Sequence, residues 1–144
     1  MNDASTRPDV FGLIFLLSQH MTRRADEALA PLGLTTSQWL LLAVVSRCTS
    51  PPTLTEAAAA YGSSRQNVKQ VARALELRGF LALRADTDDA RAVRLHLLPR
   101  VAEAFDTPEA VARQTAFFES LFAPLSAEEQ RQLRAILTRW VGSL

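Results

Sequence analysis

Residues 51–97 are punctuated so closely by start and stop signals that few folds can accommodate them. Pro51 and Pro52 end whatever precedes them, because neither has a backbone N–H to continue a helix. Thr53 and Glu56 stand three apart and match a capping box, which predicts a short helix over residues 54–61. Gly62 supplies a turn and Ser64 caps the next helix, which the spacing of Val68, Val71, Ala72 and Leu75 carries over residues 64–80. Gly79 closes that helix, and the period then drops to two. Leu81 and Leu83 alternate with Ala82 and Arg84, while Val93, Leu95 and Leu97 alternate with Arg94 and His96. The pattern predicts a β-hairpin whose connection, residues 85–91, is rich in Asp and Arg. Two short helices at a glycine turn followed by a hairpin make a winged helix-turn-helix.

The second of those helices carries the chain's only lysine, Lys69, midway between Arg65 and Arg73. Spacing of four residues puts the three cations on one helical stripe. With Ser64, Gln66, Asn67 and Gln70 they form an outward surface of cations and amides. These groups pair with phosphates and with base edges in the DNA major groove. Arg65 and the amides suit base edges, whereas Lys69 and Arg73 suit either bases or phosphates.

The charge distribution agrees. The net charge is only +1, but residues 62–100 carry eight Lys or Arg against four Asp or Glu. The flanking segments are slightly acidic, with four basic against five acidic residues in 1–61 and four against six in 101–144. A positive field confined to the middle third is expected where one face meets a polyanion.

The flanks read as helices. Val10, Phe11, Leu13, Ile14, Leu17, Met21, Ala25, Ala28 and Leu29 follow helical spacing over residues 9–32, up to Gly33. Thr36 or Ser37 can cap a second helix running to about residue 48. After the hairpin, helices are expected over 101–122 and 127–141. A kink or break is expected at Pro108, where Thr107 can cap a new helix, and Ser126 with Glu129 forms a capping box. The stripe of Phe11, Ile14, Phe117, Phe118, Leu121, Leu133, Ile136 and Trp140 has no partner within one winged helix, which points to a homodimer interface. The fold class is therefore mainly α with a small hairpin wing. Residues 34–100 form the DNA-binding lobe, and residues 1–33 and 101–144 form a helical dimerisation region.

Other functions find little support. Neither a paired-carboxylate, a Ser–His–Asp nor a phosphate-loop arrangement is present, so an enzyme is not expected. No cofactor is implied. His20 and His96 are too few and too far apart to suggest a metal site. Cys48 excludes an internal disulfide framework and reads as a buried structural thiol, since a redox role requires a lowered pKa. Apolar runs such as residues 13–17 and 39–45 are far shorter than the roughly 18 residues of a membrane span. The N-terminus does not read as a signal peptide, and a cytoplasmic location is expected.

Along nearly its whole length the chain resembles the multiple-antibiotic-resistance regulator (MarR) family. Leu34-Thr35-Thr36-Ser37-Gln38-Trp39 is similar to the opening of that family's second helix. Gly62-Ser63-Ser64-Arg65-Gln66-Asn67-Val68, with Leu75 and Gly79-Phe80, resembles its recognition helix. Asp86-Thr87-Asp88-Asp89-Ala90-Arg91-Ala92-Val93 resembles its wing, whose signature is an Asp and an Arg two residues apart. Leu125-Ser126 and Glu129 resemble its terminal helices. Three departures stand out: Ala57 where leucine is usual, Ser63 where an apolar residue is usual, and Leu97-Leu98-Pro99-Arg100 where Leu-Thr and a glycine are usual.

The resemblance implies a homodimeric winged-helix transcription factor whose terminal helices interlock and whose recognition helices read a pseudo-palindromic operator in double-stranded DNA. Arg91, near the hairpin tip, then enters a narrow minor groove, and Asp89 orients it. Many members are repressors released by small anionic, often phenolic, effectors. A pocket for an anionic or aromatic effector would lie between the dimer helices and the DNA-binding lobe, with Phe15, His20, Arg23 and Trp39 as candidate lining residues.

Overall fold

The computed structural model describes residues 3–144. Helix α1 spans Asp3–Leu29 and ends in a 3-10 turn at Ala30–Leu32, closed by Gly33 at φ 70°. It begins six residues before the expected start at Asp9 and includes Pro8. The residues ahead of Val10 are mostly polar and carry no apolar period, so the pattern that located the helix could not mark its start.

Helix α2 (Thr36–Ser46) is capped by Thr35, not by Thr36 or Ser37. The Thr35 hydroxyl accepts from the Gln38 N–H at 3.3 Å, and the Gln38 side chain accepts from the Thr35 N–H at 3.1 Å. Only Thr35 has an amide side chain three residues ahead to complete this box. Thr36 is engaged by α1 instead. Its N–H and its hydroxyl each donate to the Asp26 carboxylate at 2.7 Å. These bonds hold the Asp26 pKa below its ordinary value.

Helix α3 (Leu54–Tyr61) forms half of the expected capping box. The Thr53 hydroxyl accepts from the Glu56 N–H at 3.1 Å, but the Glu56 carboxylate does not return the bond; its charge acts on Arg94. Gly62, at φ 78°, makes the left-handed turn that a side chain would strain. Helix α4 (Arg65–Leu77) follows, capped by Ser64, whose hydroxyl accepts from the Asn67 N–H at 3.1 Å. Strands β1 (Leu81–Ala85) and β2 (Val93–Leu97) pair antiparallel with Leu81 opposite Leu97, Leu83 opposite Leu95 and Ala85 opposite Val93.

The core of this unit lies where α2, α3, α4 and the hairpin meet. Leu41, Leu42 and Val45 of α2, Leu54, Ala57 and Ala58 of α3, and Val68, Ala72 and Leu75 of α4 are buried with Phe80, Leu81 and Leu95. Ala57 of α3 is completely buried. Cys48 is only half-buried, because it lies past the last turn of α2, where its thiol donates to the Val44 carbonyl at 3.4 Å.

Helix α5 (Arg100–Phe105) ends just before Pro108, and α6 (Pro108–Phe122) starts there with Thr107 as its cap. The expected break is therefore present. Gln114 of α6 donates back across it to the Phe105 carbonyl at 2.8 Å. Helix α7 (Ala127–Gly142) opens with the complete Ser126–Glu129 capping box. The described chain divides into two compact units, one up to Ala104 and the other Phe105–Leu144.

Within the first unit, Val10, Phe11, Leu13, Ile14, Phe15, Leu16 and Leu17 of α1 are all exposed. In the second, so are Phe118, Ile136, Leu137, Trp140 and Val141, whereas Phe117, Leu121 and Leu133 are half-buried. Among the described residues, no single helix is long and apolar enough to cross a membrane.

Candidate nucleic-acid interface

Helix α4 has two chemically distinct faces. Val68, Ala72 and Leu75 are buried completely, and that burial orients the helix about its axis. Ser64, Arg65, Gln66, Asn67, Lys69, Gln70 and Arg73 are all exposed as a consequence. Ser64 and Asn67 are held locally. The Ser64 hydroxyl caps the helix, and the Asn67 amide donates to the Ser63 hydroxyl at 2.8 Å. Ser63 is thus an exposed partner for Asn67.

By contrast, the side chains of Arg65, Gln66, Lys69, Gln70 and Arg73 make no hydrogen bond or ion pair among the described residues. Three cations and two amides stand side by side with their donors free. The N-terminus of α4 adds its own partial positive charge beside Arg65. Carboxylates nearby are turned to structural tasks. Glu76, on the last turn, accepts from the backbone N–H of Leu83 at 2.8 Å and so ties the end of α4 to β1.

The hairpin connection is ordered by two aspartates. The Asp86 N–H donates to the Ala92 carbonyl at 2.9 Å, closing the loop at its base. Asp89 shapes the tip: its carboxylate accepts from the Arg91 N–H at 3.0 Å, and its carbonyl accepts from the Ala92 N–H at 3.0 Å. Asp89 therefore acts on Arg91 through the backbone turn and leaves the guanidinium free. Arg91 is exposed at the tip, as is Arg84 on β1, and neither side chain has a partner among the described residues.

Arg84 and the pair Asp86–Arg94 were not among the residues picked out from the sequence. The outward position of Arg84 in the period of β1 is a signal that points to it. The Asp86–Arg94 pair depends on hairpin register, which residue spacing does not supply.

The residues expected around an effector are spread along two helices. Phe15, His20 and Arg23 are exposed on α1, with Arg23 3.8 Å from Glu27, and Trp39 is half-buried on α2. An open pocket in the second unit is lined by Phe118, Phe122 and Leu125, and one in the first by Leu32, Phe80 and Arg100. None of the four lines either pocket.

Residues 32–92 match the model of the MarR family. No curated protein sequence matches the chain. Among solved structures the chain is similar to a probable transcriptional regulator from Pseudomonas aeruginosa, with 29% identity, 89% of this chain and 96% of that one covered, and a TM-score of 0.67. A MarR-family transcriptional regulator from Rhodococcus sp. RHA1 aligns over 96% of both chains at 19% identity and a TM-score of 0.82. The MepR–DNA complex of S. aureus aligns over 92% of this chain and 96% of that one, at 24% identity and a TM-score of 0.72.

Proposed function

We propose that the chain, whose residues 32–92 match the MarR family model, is a homodimeric, sequence-specific DNA-binding transcriptional regulator of that type acting as a repressor. The observation that carries this reading is the outer face of α4. Arg65, Gln66, Lys69, Gln70 and Arg73 are exposed together without internal partners, on a helix whose opposite face is locked into the core. An unpaired cation and amide array has no role in holding this fold. It suits phosphates and base edges in a major groove, with the free guanidinium of Arg91 directed to the flanking minor groove. A protein of the same fold, MepR, has been captured on DNA.

The dimer follows from α1. Seven apolar side chains between Val10 and Leu17 are exposed in the single chain, and a contiguous patch of that kind is ordinarily covered by a partner. A second copy would bury it and place two α4 helices about one turn of DNA apart. A small anionic or aromatic effector that favours a dimer with mis-spaced helices would then release the operator.

The test is duplex binding by fluorescence anisotropy over a range of salt concentrations. Phosphate contacts predict a steep fall in affinity as salt rises, with a log–log slope of about −0.9 per contact. A winged helix used only to bind another protein would give no duplex binding.

A further inference from the structure

Arg94 is one of the eight basic residues of the middle third, and its place on a wing strand makes it an obvious candidate to face DNA. The structure gives it another task. Its Nε donates to the Asp86 carboxylate at 2.9 Å, and its Nη1 donates to the Pro51 carbonyl at 2.7 Å. The two side chains are largely covered, 30% exposed for Arg94 and 15% for Asp86. One planar guanidinium thus joins β2, the residue that follows β1, and the loop between α2 and α3.

Register explains why the clamp is needed. Arg94 lies directly opposite Arg84 across the hairpin, and like charges in that position repel. Asp86, two residues beyond Arg84, neutralises Arg94 and leaves Arg84 free on the outside. The neighbouring backbone reinforces the junction: the Leu95 N–H donates to the Pro52 carbonyl at 2.9 Å, and Thr53 bridges Arg94 antiparallel.

We infer that Arg94 is a wing-positioning residue and not a DNA contact: through Asp86 and the Pro51 carbonyl it sets the pitch of the hairpin against the helix-turn-helix, and so determines where Arg91 and Arg84 meet the DNA backbone and minor groove. The inference rests on the DNA-binding reading above. The pairing also holds Asp86 ionised, its pKa lowered chiefly by the bond from Arg94.

A lysine at 94 separates the two roles, because it keeps the charge but cannot hold two acceptors in one plane. In the full chain, Arg94→Lys and Asp86→Asn should each lose affinity for A·T-flanked duplexes by the same factor as Arg91→Ala. Added to a chain that already carries Arg84→Ala and Arg91→Ala, Arg94→Lys should cost less than about twofold further affinity, because a clamp that acts through those two guanidinia has nothing left to position. Amide exchange at Leu95, measured without DNA, should accelerate in both Arg94→Lys and Asp86→Asn. Native binding by Arg94→Lys, tighter binding by Asp86→Asn, or a loss from Arg94→Lys that is undiminished in the Arg84→Ala, Arg91→Ala background would each overturn the inference. If the parent chain bound no duplex, the functional reading would fail on its own, and exchange at Leu95 would still decide whether Arg94 fixes the wing. Unchanged exchange there would refute the clamp.

Discussion

Replacing Arg65 by alanine should cost sequence discrimination without costing stability. Arg65 is the first residue of α4 and Arg73 lies eight residues on, a separation of about 12 Å at 1.5 Å per residue. That equals the width of the major groove, about 12 Å, so a helix entering by its N-terminus can set Arg65 on base edges and Arg73 on the groove wall. A bidentate Arg–guanine pair discriminates by about 1–3 kcal/mol. In a symmetric dimer the substitution occurs twice, so the preference for an operator over random duplex should fall by about 2–6 kcal/mol, or from roughly 30-fold to more than 10⁴-fold.

Lys69→Ala should behave differently. It should weaken both duplexes alike and lower the salt slope by about 1.8 for the dimer, one phosphate per subunit. Both side chains are exposed and unpaired, so neither change should alter stability by more than about 0.5 kcal/mol. Anisotropy titrations on the operator and a scrambled duplex, each over a salt series, read all of these quantities. The reasoning is refuted if Arg65→Ala weakens both duplexes equally, or if Lys69→Ala changes discrimination and leaves the slope alone.

The other predictions concern assembly and stability. Phe11→Glu or Leu13→Glu should convert a two-chain species to a one-chain species in sedimentation, because both side chains are exposed on α1; an unchanged mass would remove α1 from the interface. Gly62→Ala should destabilise by about 1–2 kcal/mol in denaturant titrations, the cost of a left-handed residue at φ 78°, since no atom lies within 4 Å to be displaced. Asp26 and Asp86 both have pKa values lowered from 3.8, so their bonds stabilise the fold above that pH, and the contribution is lost as pH falls below it. Asp26→Asn should therefore flatten the acid limb of a stability–pH profile, and a variant as acid-sensitive as the parent would contradict the assignment.

Local signals carried most of the architecture. Ser64, Gly62, Gly79 and the Ser126–Glu129 box act within three or four residues, so their positions in the sequence already locate α3, α4, the hairpin and α7. The break at Pro108 is legible for the same reason, because Thr107 and Pro108 are themselves the start of α6. What depends on distant partners was not legible. Thr36 is bound by Asp26, ten residues away, which leaves the cap of α2 to Thr35. Glu56 fails to complete its box while its charge acts on Arg94 of β2. The cationic surplus of the middle third was visible, but which of its cations are free was not. Arg94 is held by Asp86 and Pro51, and Arg100 lies 4.9 Å from the Phe80 ring centre while donating to the Arg78 carbonyl. With those two held, Arg65, Lys69, Arg73, Arg78, Arg84 and Arg91 keep side chains without a hydrogen bond or ion pair among the described residues.

Selection of bound sequences from a random duplex pool, using the full chain, tests the central claim most directly. Two α4 helices related by a dimer axis predict an enriched motif with two-fold symmetry, its half-sites centred about 10 base pairs apart. A pool without enrichment, or a motif with a single unrepeated half, would contradict a homodimer that reads DNA through α4.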